Sequence, residues 1–286
     1  MSTPDAALSG TFAIGGDLVV NRLGFGAMRI TGRGIFGPPA DHDEAIRVLK
    51  RLPEMGVNFI DTAESYGPNV SEELIREALF PYPDDLVIAT KAGFQRSGPD
   101  AWQIDCRPDV LKRGLEGSLK RLGVEQIDLW QLHRIDSKVD RKLQFETIAG
   151  FRDSGKVRHV GLSEVSVADI EEARKYVPIA TVQNRYGPTD RHSDDVLAYC
   201  TEHNIGFIPW APLGSGRLAR ADSVLEAVAR RNDATTSQVA IAWALQRSPV
   251  VLMIPGTSKV AHVEQNTAAA ALKLSAADVA ELDALG

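Results

Sequence analysis

Short runs of apolar and β-branched residues alternate along the chain with longer segments in which apolar positions recur every three or four residues. The short runs have the length of buried strands, and the longer segments have the periodicity of amphipathic helices. Because this alternation continues to the C-terminus, it predicts a sheet of parallel strands connected by helices. Eight strands are predicted, at residues 22–26, 57–60, 86–90, 127–132, 157–162, 179–183, 205–210 and 250–255.

Each gap between these strands holds at least one predicted helix. The predicted helices span residues 42–55, 71–79, 108–122, 140–154, 167–175, 192–203, 223–231 with 236–247, and 259–270. Helix start signals stand at Asp41, Ser71, Arg107 with Pro108, and Ser166 with Glu171. Glycines that typically end a helix stand at Gly56, Gly123 and Gly155.

The number of these units predicts the fold. Eight strand–helix units in 286 residues fit a (β/α)8 TIM barrel, which typically takes about 250 residues. An open doubly wound sheet is the alternative, but its G-x-G-x-x-G mark is missing, since Gly24 and Gly26 lack a third glycine and open no helix. With no linker in the chain, we expect one domain over 11–286 after a flexible segment 1–10.

Two segments fall outside the eightfold pattern. Residues 11–20 predict a β-hairpin that turns at Gly15 and Gly16 and covers the N-terminal end of the barrel. The tail after Ser275 predicts an extra helix, which this serine caps, on the outside of the barrel.

Composition narrows the class of protein. With 44% hydrophobic and 24% charged residues, the chain is typical of a globular protein and unlike disordered, collagenous or coiled-coil chains. A net charge of −6 argues against a nucleic-acid or anionic-membrane partner. Neither a signal peptide nor an apolar run long enough to span a membrane is present. Cys106 and Cys200 form no paired motif, so we expect a reducing cytoplasm. The sequence does not indicate an oligomeric state, and a monomer is the default expectation.

Polar residues follow five consecutive predicted strands. They are Asp61, Lys91, His133, Ser163, and Gln183 with Asn184. Taken singly, a charged residue at a strand end is usually a solvated loop residue. Five in succession indicate a site, because the C-terminal strand ends of a barrel meet at one mouth.

The types of these residues favour one chemistry. Asp61 and Lys91 at neighbouring strand ends can form a partly buried ion pair. Tyr66 lies just beyond Asp61, and its phenol, with an ordinary pKa of about 10, becomes a better proton donor if Lys91 lowers that pKa. With His133 polarising the oxygen, this set would protonate an aldehyde or ketone as hydride reaches its carbon. The histidines show no H-x-H or H-E-x-x-H spacing, so no metal is expected.

Eight motifs follow one another in the order of these strands. They are G-F-G-A-M (24–28), D-T-A-E-S-Y-G (61–67), A-T-K-A-G (89–93), W-Q-L-H (130–133), H-V-G-L-S (159–163), V-Q-N-R-Y (182–186), W-A-P-L-G-S-G (210–216) and I-P-G-T-S-K (254–259). Together they resemble the aldo-keto reductases from about residue 10 to the end. The resemblance implies a TIM barrel, a small carbonyl substrate, NADPH or alternatively NADH as cofactor, and a catalytic tetrad.

The tetrad that the resemblance implies is Asp61, Tyr66, Lys91 and His133, with Tyr66 as general acid and base. It further implies that Ser163 and Gln183 bind the nicotinamide carboxamide and that Trp210 stacks on the nicotinamide ring. Further implied cofactor contacts are Gly26, Ala27, Met28, Asp61, Ala211, Leu213, Gly214, Ser215, Gly256, Thr257, Ser258, His262, Gln265 and Asn266, with Arg217 at the pyrophosphate and Lys259 at the 2′-phosphate.

Three departures from the family pattern leave questions open. Glu164 stands where many members have Asn, which leaves the second carboxamide contact unassigned. Gly256 and His262 stand where many members have the Lys and Arg of the 2′-phosphate site, so the choice between NADP and NAD depends on Lys259. The short loop after His133 predicts an open substrate pocket.

Phe36 and Trp102 are predicted walls of that pocket, with simple anchoring of its loop as the alternative for Trp102. The segments G-I-F-G-P-P (34–39), G-L-S-E-V-S (161–166) and I-P-G-T-S-K-V-A-H (254–262) resemble a bacterial branch that includes pyridoxal reductases. This resemblance makes pyridoxal, reduced to pyridoxine, a candidate substrate beside other aromatic and aliphatic aldehydes.

Two other classes of function are weighed. In a Schiff-base lyase or aldolase Lys91 would be the nucleophile, but Asp61 would keep it protonated and unreactive. The second class is a non-catalytic protein that binds the cofactor and senses its redox state. Such a sensor has less need of all four tetrad residues.

Overall fold

The computed structural model describes residues 3–210 and 222–286. Its strands are β1 (Thr11–Ile14), β2 (Leu18–Asn21), β3 (Phe25–Gly26), β4 (Phe59–Asp61), β5 (Val87–Ala92), β6 (Phe94–Gly98), β7 (Ala101–Ile104), β8 (Ile127–Leu132), β9 (Val157–Ser163), β10 (Ile179–Gln183) and β11 (Gly206–Phe207). Its α-helices are α1 (His42–Arg51), α2 (Val70–Leu79), α3 (Pro108–Leu122), α4 (Arg141–Asp153), α5 (Val167–Ala173), α6 (Asp194–Glu202), α7 (Asp222–Arg231), α8 (Thr236–Arg247), α9 (Val260–Ala268) and α10 (Ala276–Asp283).

The barrel is built from parallel strands in the order β3-β4-β5-β8-β9-β10-β11. Residues 250–253 close it, because they bond to the strands at both edges. The Leu252 amide donates to the Phe207 carbonyl (2.8 Å), and the Met253 amide donates to the Arg22 carbonyl (2.7 Å). The predicted (β/α)8 barrel is confirmed, although its last strand is present only as single bridges to Leu23 and Phe207.

Burial on both faces explains the continuous apolar runs in the sequence. All six residues of β5 are buried, as expected for a parallel strand covered by helices on one face and by the barrel interior on the other. Trp130 and Phe145 are fully buried in the same core.

Most predicted helix signals have the expected geometry. The Asp41 carboxylate accepts from the Glu44 amide, and Ser166 forms a capping box, with Asp169 rather than Glu171 as its partner. Ser71 is the exception. Helix α2 begins at Val70, one residue earlier, and the buried Ser71 hydroxyl accepts from Thr62 (2.7 Å) and donates to the Ala27 carbonyl (3.2 Å).

The two added segments lie where the sequence predicts them. Strands β1 and β2 pair antiparallel around Gly15 and Gly16, and the turn lies against His159 at the N-terminal end of β9. Asp17 in this turn bonds His159 (2.5 Å). Ser275 caps α10, and the Trp243 indole donates to Asp283 (2.8 Å) at the end of that helix. Both the hairpin and the extra helix are confirmed.

The structure also differs from the predicted elements. The predicted helix 42–55 stops at Arg51 and gives way to a 3₁₀ turn at Pro53–Met55, because a proline ring lacks the amide hydrogen that continues a helix. The loop predicted after β5 contains the antiparallel pair β6–β7. Residues Ala6–Ser9, within the segment predicted to be flexible, form a 3₁₀ turn with Ala6 buried. Within the described ranges, none of the helices is both long and apolar enough to cross a membrane.

Candidate active site

Parallel strands bring the predicted site residues to one end of the barrel. The five strand-end side chains are all buried, with exposed fractions of 2% for Asp61, 0% for Lys91, 6% for His133, 1% for Ser163 and 4% for Gln183. Polar groups this buried need partners to offset their desolvation. Their hydrogen bonds therefore define the site.

Lys91 is the centre of this network. Its Nζ donates to the Asp61 carboxylate (2.6 Å) and the Thr62 carbonyl (2.7 Å), and it lies 3.5 Å from the Tyr66 hydroxyl. Burial is the strongest single influence and acts to lower the pKa of Lys91, but the charges of Asp61 and Tyr66 and the hydrogen bonds to both together outweigh it and hold the pKa above its usual range. Lys91 is thus a charged ammonium with all three N–H groups directed at partners.

Two glutamines hold the other oxygen of Asp61. The amide nitrogens of Gln131 (3.0 Å) and Gln183 (2.9 Å) both donate to Asp61 Oδ1. Gln131 was not predicted from the sequence, although it is an amide near the end of a mostly apolar strand run at 127–132. Gln183, predicted as a carboxamide contact, therefore also orients the acid of the ion pair.

Tyr66 lies directly over this pair. Its side chain is 6% exposed, and its ring meets the His133 ring edge-on at 6.0 Å. Burial raises the pKa of Tyr66, and the charge of Lys91 lowers it by less, so the net shift is upward. Lys91 does lower the pKa of Tyr66, as expected. The expectation that this pKa falls overall is wrong, because burial raises it by more. Tyr66 consequently remains a protonated phenol at neutral pH, which is the form that donates a proton.

His133 completes the predicted tetrad. Burial, followed by the charges of Lys91 and Arg134, lowers the pKa of His133 well below its ordinary value. Its Nδ1 lies 3.5 Å from the Ser65 hydroxyl. The ring is therefore a neutral imidazole at pH 7, able to donate a hydrogen bond to a carbonyl oxygen without giving up a full proton.

Glu164 holds Trp210 in place. Its Oε1 accepts from the Trp210 indole Nε1 (2.6 Å) and from the Arg185 backbone amide (2.6 Å). Glu164 has a φ of 57°, a left-handed conformation that costs a non-glycine residue about 1 kcal/mol or more. The carboxylate left unassigned by the sequence thus orients the aromatic ring predicted to stack on the nicotinamide.

The β6–β7 hairpin brings aromatic side chains to the mouth. The Phe94 ring lies edge-on to His133 at 4.7 Å, and the Trp102 ring lies 6.5 Å from His133. The guanidinium carbon of Arg96 stands 3.6 Å from the centre of the Trp102 ring and 5.8 Å from that of Phe36. Both predicted pocket residues, Phe36 and Trp102, are therefore assembled around one arginine that the sequence analysis missed.

Arg96 joins the loops of the mouth through backbone carbonyls. It donates to the carbonyls of Gly34, Ile35, Ser65, Gly98 and Ala101. These carbonyls belong to the loops that follow β3 and β4 and to the hairpin itself. The planar guanidinium carries five N–H donors, so no other side chain can replace all of these bonds.

Replacement of Arg96 by Lys should therefore lower the free energy of unfolding by about 1–3 kcal/mol, because an ammonium cannot serve all five carbonyls. Urea unfolding measures the change, and hydrogen exchange should show faster exchange in residues 94–104 and in the loops around Gly34 and Ser65 that Arg96 bonds. Arg113→Lys is the matched control, since Arg113 is 67% exposed and, among the residues that the structure describes, pairs with Asp109 on α3 alone. Equal stability losses in the two variants would contradict the role of Arg96.

The remaining predicted nucleotide contacts fall into three groups: those beside β3 and Gly256, those at 211–217, and those around the start of α9. Gly26 and Gly256 pack back to back, since a Cβ on Gly256 would stand 2.6 Å from the Gly26 carbonyl. Close chain packing is by itself a sufficient reason for glycine at both positions, and their predicted cofactor contacts stay predictions. Ala27 is buried in a 3₁₀ turn with Met28 beside it. Ala211, Leu213, Gly214, Ser215 and Arg217 lie outside the described residues.

The third group surrounds the start of α9, which is the predicted 2′-phosphate site. Ser258, Lys259, His262 and Gln265 are exposed there, whereas Thr257 is buried and Asn266 half-buried. The Thr257 hydroxyl accepts from the Lys259 amide (3.2 Å) and lies 3.3 Å from His262 Nδ1. An exposed cation at a helix N-terminus fits a phosphate.

One carboxylate at this helix start was not foreseen. Glu44 on α1 accepts from the Val260 amide (3.1 Å) and from Arg47. The Val260 amide and the Arg47 guanidinium lower the pKa of Glu44, so it is charged at neutral pH. A negative group thus stands beside the predicted phosphate position and opposes the attraction of Lys259.

Comparison with known proteins agrees with this geometry. The model of the Aldo/keto reductase family matches residues 22–286. An uncharacterized oxidoreductase of Schizosaccharomyces pombe is 54% identical over 100% of this chain and 92% of its own length. Pyridoxine 4-dehydrogenase of Escherichia coli is 40% identical over 97% of this chain and 98% of its own.

Solved structures agree as well. An aldo-keto reductase of Klebsiella pneumoniae in complex with NADPH superimposes with a TM-score of 0.79 at 26% identity, covering 100% of this chain and 95% of that one. A thermostable aldo-keto reductase bound to the inhibitor epalrestat gives a TM-score of 0.82 at 29% identity over 94% and 96% of the two chains. The barrel, the site at its mouth and the family match over 22–286 together show that this chain belongs to the aldo/keto reductase family, whose members are NAD(P)H-dependent oxidoreductases.

Proposed function

We propose that this enzyme uses NADPH to reduce a flat heteroaromatic aldehyde of the pyridoxal type to the alcohol, with Tyr66 as general acid. The observation that carries the proposal is the arrangement of charged and neutral side chains at the mouth of the barrel. A charged Lys91, held by Asp61, lies 3.5 Å from the Tyr66 hydroxyl beside a neutral His133. These groups fit the protonation of a carbonyl oxygen.

Each residue has a distinct part in this step. When bound, the reduced nicotinamide supplies the hydride. The Tyr66 hydroxyl and the His133 imidazole both donate to the carbonyl oxygen, and Tyr66 transfers its proton as negative charge develops there. The charge of Lys91 stabilises the phenolate left behind, and Asp61 keeps Lys91 protonated. In the reverse direction the phenolate removes the alcohol proton.

The aromatic side chains around His133 are evidence for a flat substrate. Phe94 and Trp102 lie around His133, and Phe36 is joined to them through Arg96. Edge and face contacts with such rings favour a planar aromatic aldehyde over a flexible chain. The likeness to a relative named Pyridoxine 4-dehydrogenase supports the pyridoxal–pyridoxine pair in particular.

The decisive experiment is an aldehyde panel that contains pyridoxal, benzaldehyde, pyridine-4-carbaldehyde and butanal. NADPH and NADH consumption are followed by absorbance in parallel. We expect the highest kcat/KM with NADPH and the heteroaromatic aldehydes. Failure of every aldehyde with both cofactors would refute the proposed reduction, and a preference for butanal would refute the flat pocket.

The ion pair argues against the alternative Schiff-base chemistry. The N–H groups of Lys91 are directed at Asp61, Thr62 and Tyr66, and the side chain is charged at neutral pH. A nucleophilic lysine must instead be neutral. Borohydride reduction in the presence of pyridoxal should therefore leave Lys91 unmodified by mass spectrometry. A covalent adduct on Lys91 would favour the lyase.

We expect the cofactor preference to shift in opposite directions when the two charges at the start of α9 are removed. Lys259→Ala should weaken NADPH binding about tenfold relative to NADH, because a charge-assisted bond to the 2′-phosphate is lost. Glu44→Gln should favour NADPH over NADH, because a like charge is removed. Dissociation constants from fluorescence titration measure both. Equal effects on the two cofactors would place the 2′-phosphate elsewhere.

A further inference from the structure

Most charges at the mouth are already committed to protein partners. Lys91 is paired with Asp61, and His133 is neutral at pH 7. Arg96 is bonded to five backbone carbonyls, and the Glu164 carboxylate serves Trp210 and the Arg185 amide. Among the described residues of the mouth, a further arginine, Arg134, follows His133 directly in sequence.

Among the described residues, Arg134 donates hydrogen bonds from only one of its three side-chain nitrogens. Its Nη1 donates to the His133 carbonyl (2.6 Å) and to the Ser163 hydroxyl (3.0 Å). Within residues 3–210 and 222–286, no partner accepts from its Nε or Nη2, and no carboxylate stands within 4 Å of the guanidinium. Burial lowers the pKa of Arg134, and the charge of Glu164 raises it by less. The Phe94 ring, 5.4 Å from the central carbon of the guanidinium, packs along it. A half-buried cation with spare donors favours an anionic ligand.

The position of Arg134 relates this cation to the reacting carbonyl. Its charge acts to lower the pKa values of both Tyr66 and His133, so it lies within electrostatic range of the two groups that bind the carbonyl oxygen in the proposed reaction. Its bonds to the His133 carbonyl and Ser163 tie it to the ends of two neighbouring strands. The guanidinium is therefore held at a fixed position beside the strand ends that carry His133 and Ser163.

We infer that Arg134 forms an anion subsite that selects carbonyl substrates with an ionised oxygen close to the aldehyde group. The inference rests on the proposed function and adds to it the charge of the preferred substrate. An aromatic aldehyde with a hydroxyl on the neighbouring ring carbon has this arrangement when the hydroxyl is ionised. In a 3-hydroxypyridine the ring nitrogen withdraws electrons and favours the ionised form at neutral pH. Pyridoxal belongs to this class of aldehyde.

The test compares two aldehydes that differ in this charge and by one methyl group on the same oxygen. The probes are 3-hydroxypyridine-4-carbaldehyde, which is anionic at oxygen, and 3-methoxypyridine-4-carbaldehyde, which is not. The measured quantity is the ratio of their kcat/KM values in wild type, Arg134→Met, Arg134→Lys and the exposed control Arg113→Met. We expect Arg134→Met to lower this ratio about ten- to a hundredfold, as loss of a charged hydrogen bond does.

The other variants separate charge from structure. Arg134→Lys keeps the charge but not the planar fork, so we expect a smaller fall in the ratio. Arg113→Met should leave the ratio unchanged. Thermal unfolding and the NADPH dissociation constant report whether Arg134→Met still folds and binds cofactor, and Arg134→Lys provides the measurement if it does not.

The outcomes distinguish this inference from the function on which it rests. An unchanged ratio in the Arg134 variants, with both aldehydes still reduced, would overturn the anion subsite and leave the proposed reduction standing. Parallel losses with both aldehydes would also overturn it, since Arg134 would then act on the chemistry or the cofactor. If the wild type reduces neither aldehyde nor any other in the panel, the proposed function fails and the subsite with it.

Discussion

Replacement of Tyr66 by phenylalanine should lower kcat for aldehyde reduction by about 10²–10⁴-fold, the usual contribution of a general acid. The variant keeps the buried ring but loses the proton that the developing alkoxide would receive. The contact between this hydroxyl and Lys91 Nζ is long, at 3.5 Å, so the protein should fold normally without it. Steady-state rates and NADPH titration should show a loss in kcat with nearly unchanged cofactor affinity.

Tyr82→Phe is the matched control for this variant. The Tyr82 hydroxyl donates to the Leu122 carbonyl (2.7 Å), remote from the mouth, so its removal should affect stability and not kcat. Tyr66→Phe with wild-type kcat would refute the assigned acid. Because the pKa of Tyr66 is raised, the phenol needed for reduction persists to high pH. Alcohol oxidation, which needs the phenolate, should instead accelerate as the pH rises.

Lys91→Met should both inactivate the enzyme and destabilise it. The Asp61 carboxylate would stay buried at 2% exposure with its cation gone, a situation that typically costs about 3–5 kcal/mol of folding free energy. The phenolate of Tyr66 would also lose its stabilising charge, so we expect kcat to fall at least about 10²-fold. Urea unfolding and steady-state kinetics measure the two effects separately.

The double variant Asp61→Asn/Lys91→Met separates stability from catalysis. With neither charge buried, much of the lost folding free energy should return, since neutral groups are cheaper to bury than an unpaired ion. Activity should not return. Removal of the exposed pair partner in Arg113→Met should cost about 0–1 kcal/mol. A stable, fully active Lys91→Met enzyme would contradict the ion pair's role, as would recovery of activity in the double variant.

Much of the site could be predicted because the barrel imposes order on strand ends. Asp61, Lys91 and His133 each follow an apolar run, and the parallel topology brings such positions together whatever the loops do. Tyr66 could be included because it lies five residues after Asp61. The residues that were missed have no such positional rule. Gln131 lies inside a strand, and Arg96 lies in a hairpin whose path depends on packing. Arg134 directly follows His133, but which of its donors find partners depends on the side chains that pack around it.

The elements that the sequence mispredicted also depend on packing between distant segments of the chain. Ser71 resembles a helix cap in sequence, but the approach of β4 and the turn after β3 gives its hydroxyl better partners in Thr62 and Ala27. The hairpin β6–β7 lacks a strong strand signal. Its polar residues become strands because Arg96 and the aromatic rings of Phe94 and Trp102 pack it onto the mouth.

The sequence by itself determined the periodic features: the eightfold alternation of strands and helices, and the hairpin and helix at its ends. It also supplied the four residues that we propose as the catalytic tetrad. Local periodicity and strand-end position are sufficient for these because each depends on neighbours in the chain. Only the tertiary structure decided that burial outweighs Lys91 in raising the pKa of Tyr66, and that Glu164 holds Trp210. It also decided that Glu44 stands at the start of α9 and that Arg134 keeps donors to spare. These properties depend on distances between residues far apart in sequence and on exclusion of water, which no pattern along the chain encodes.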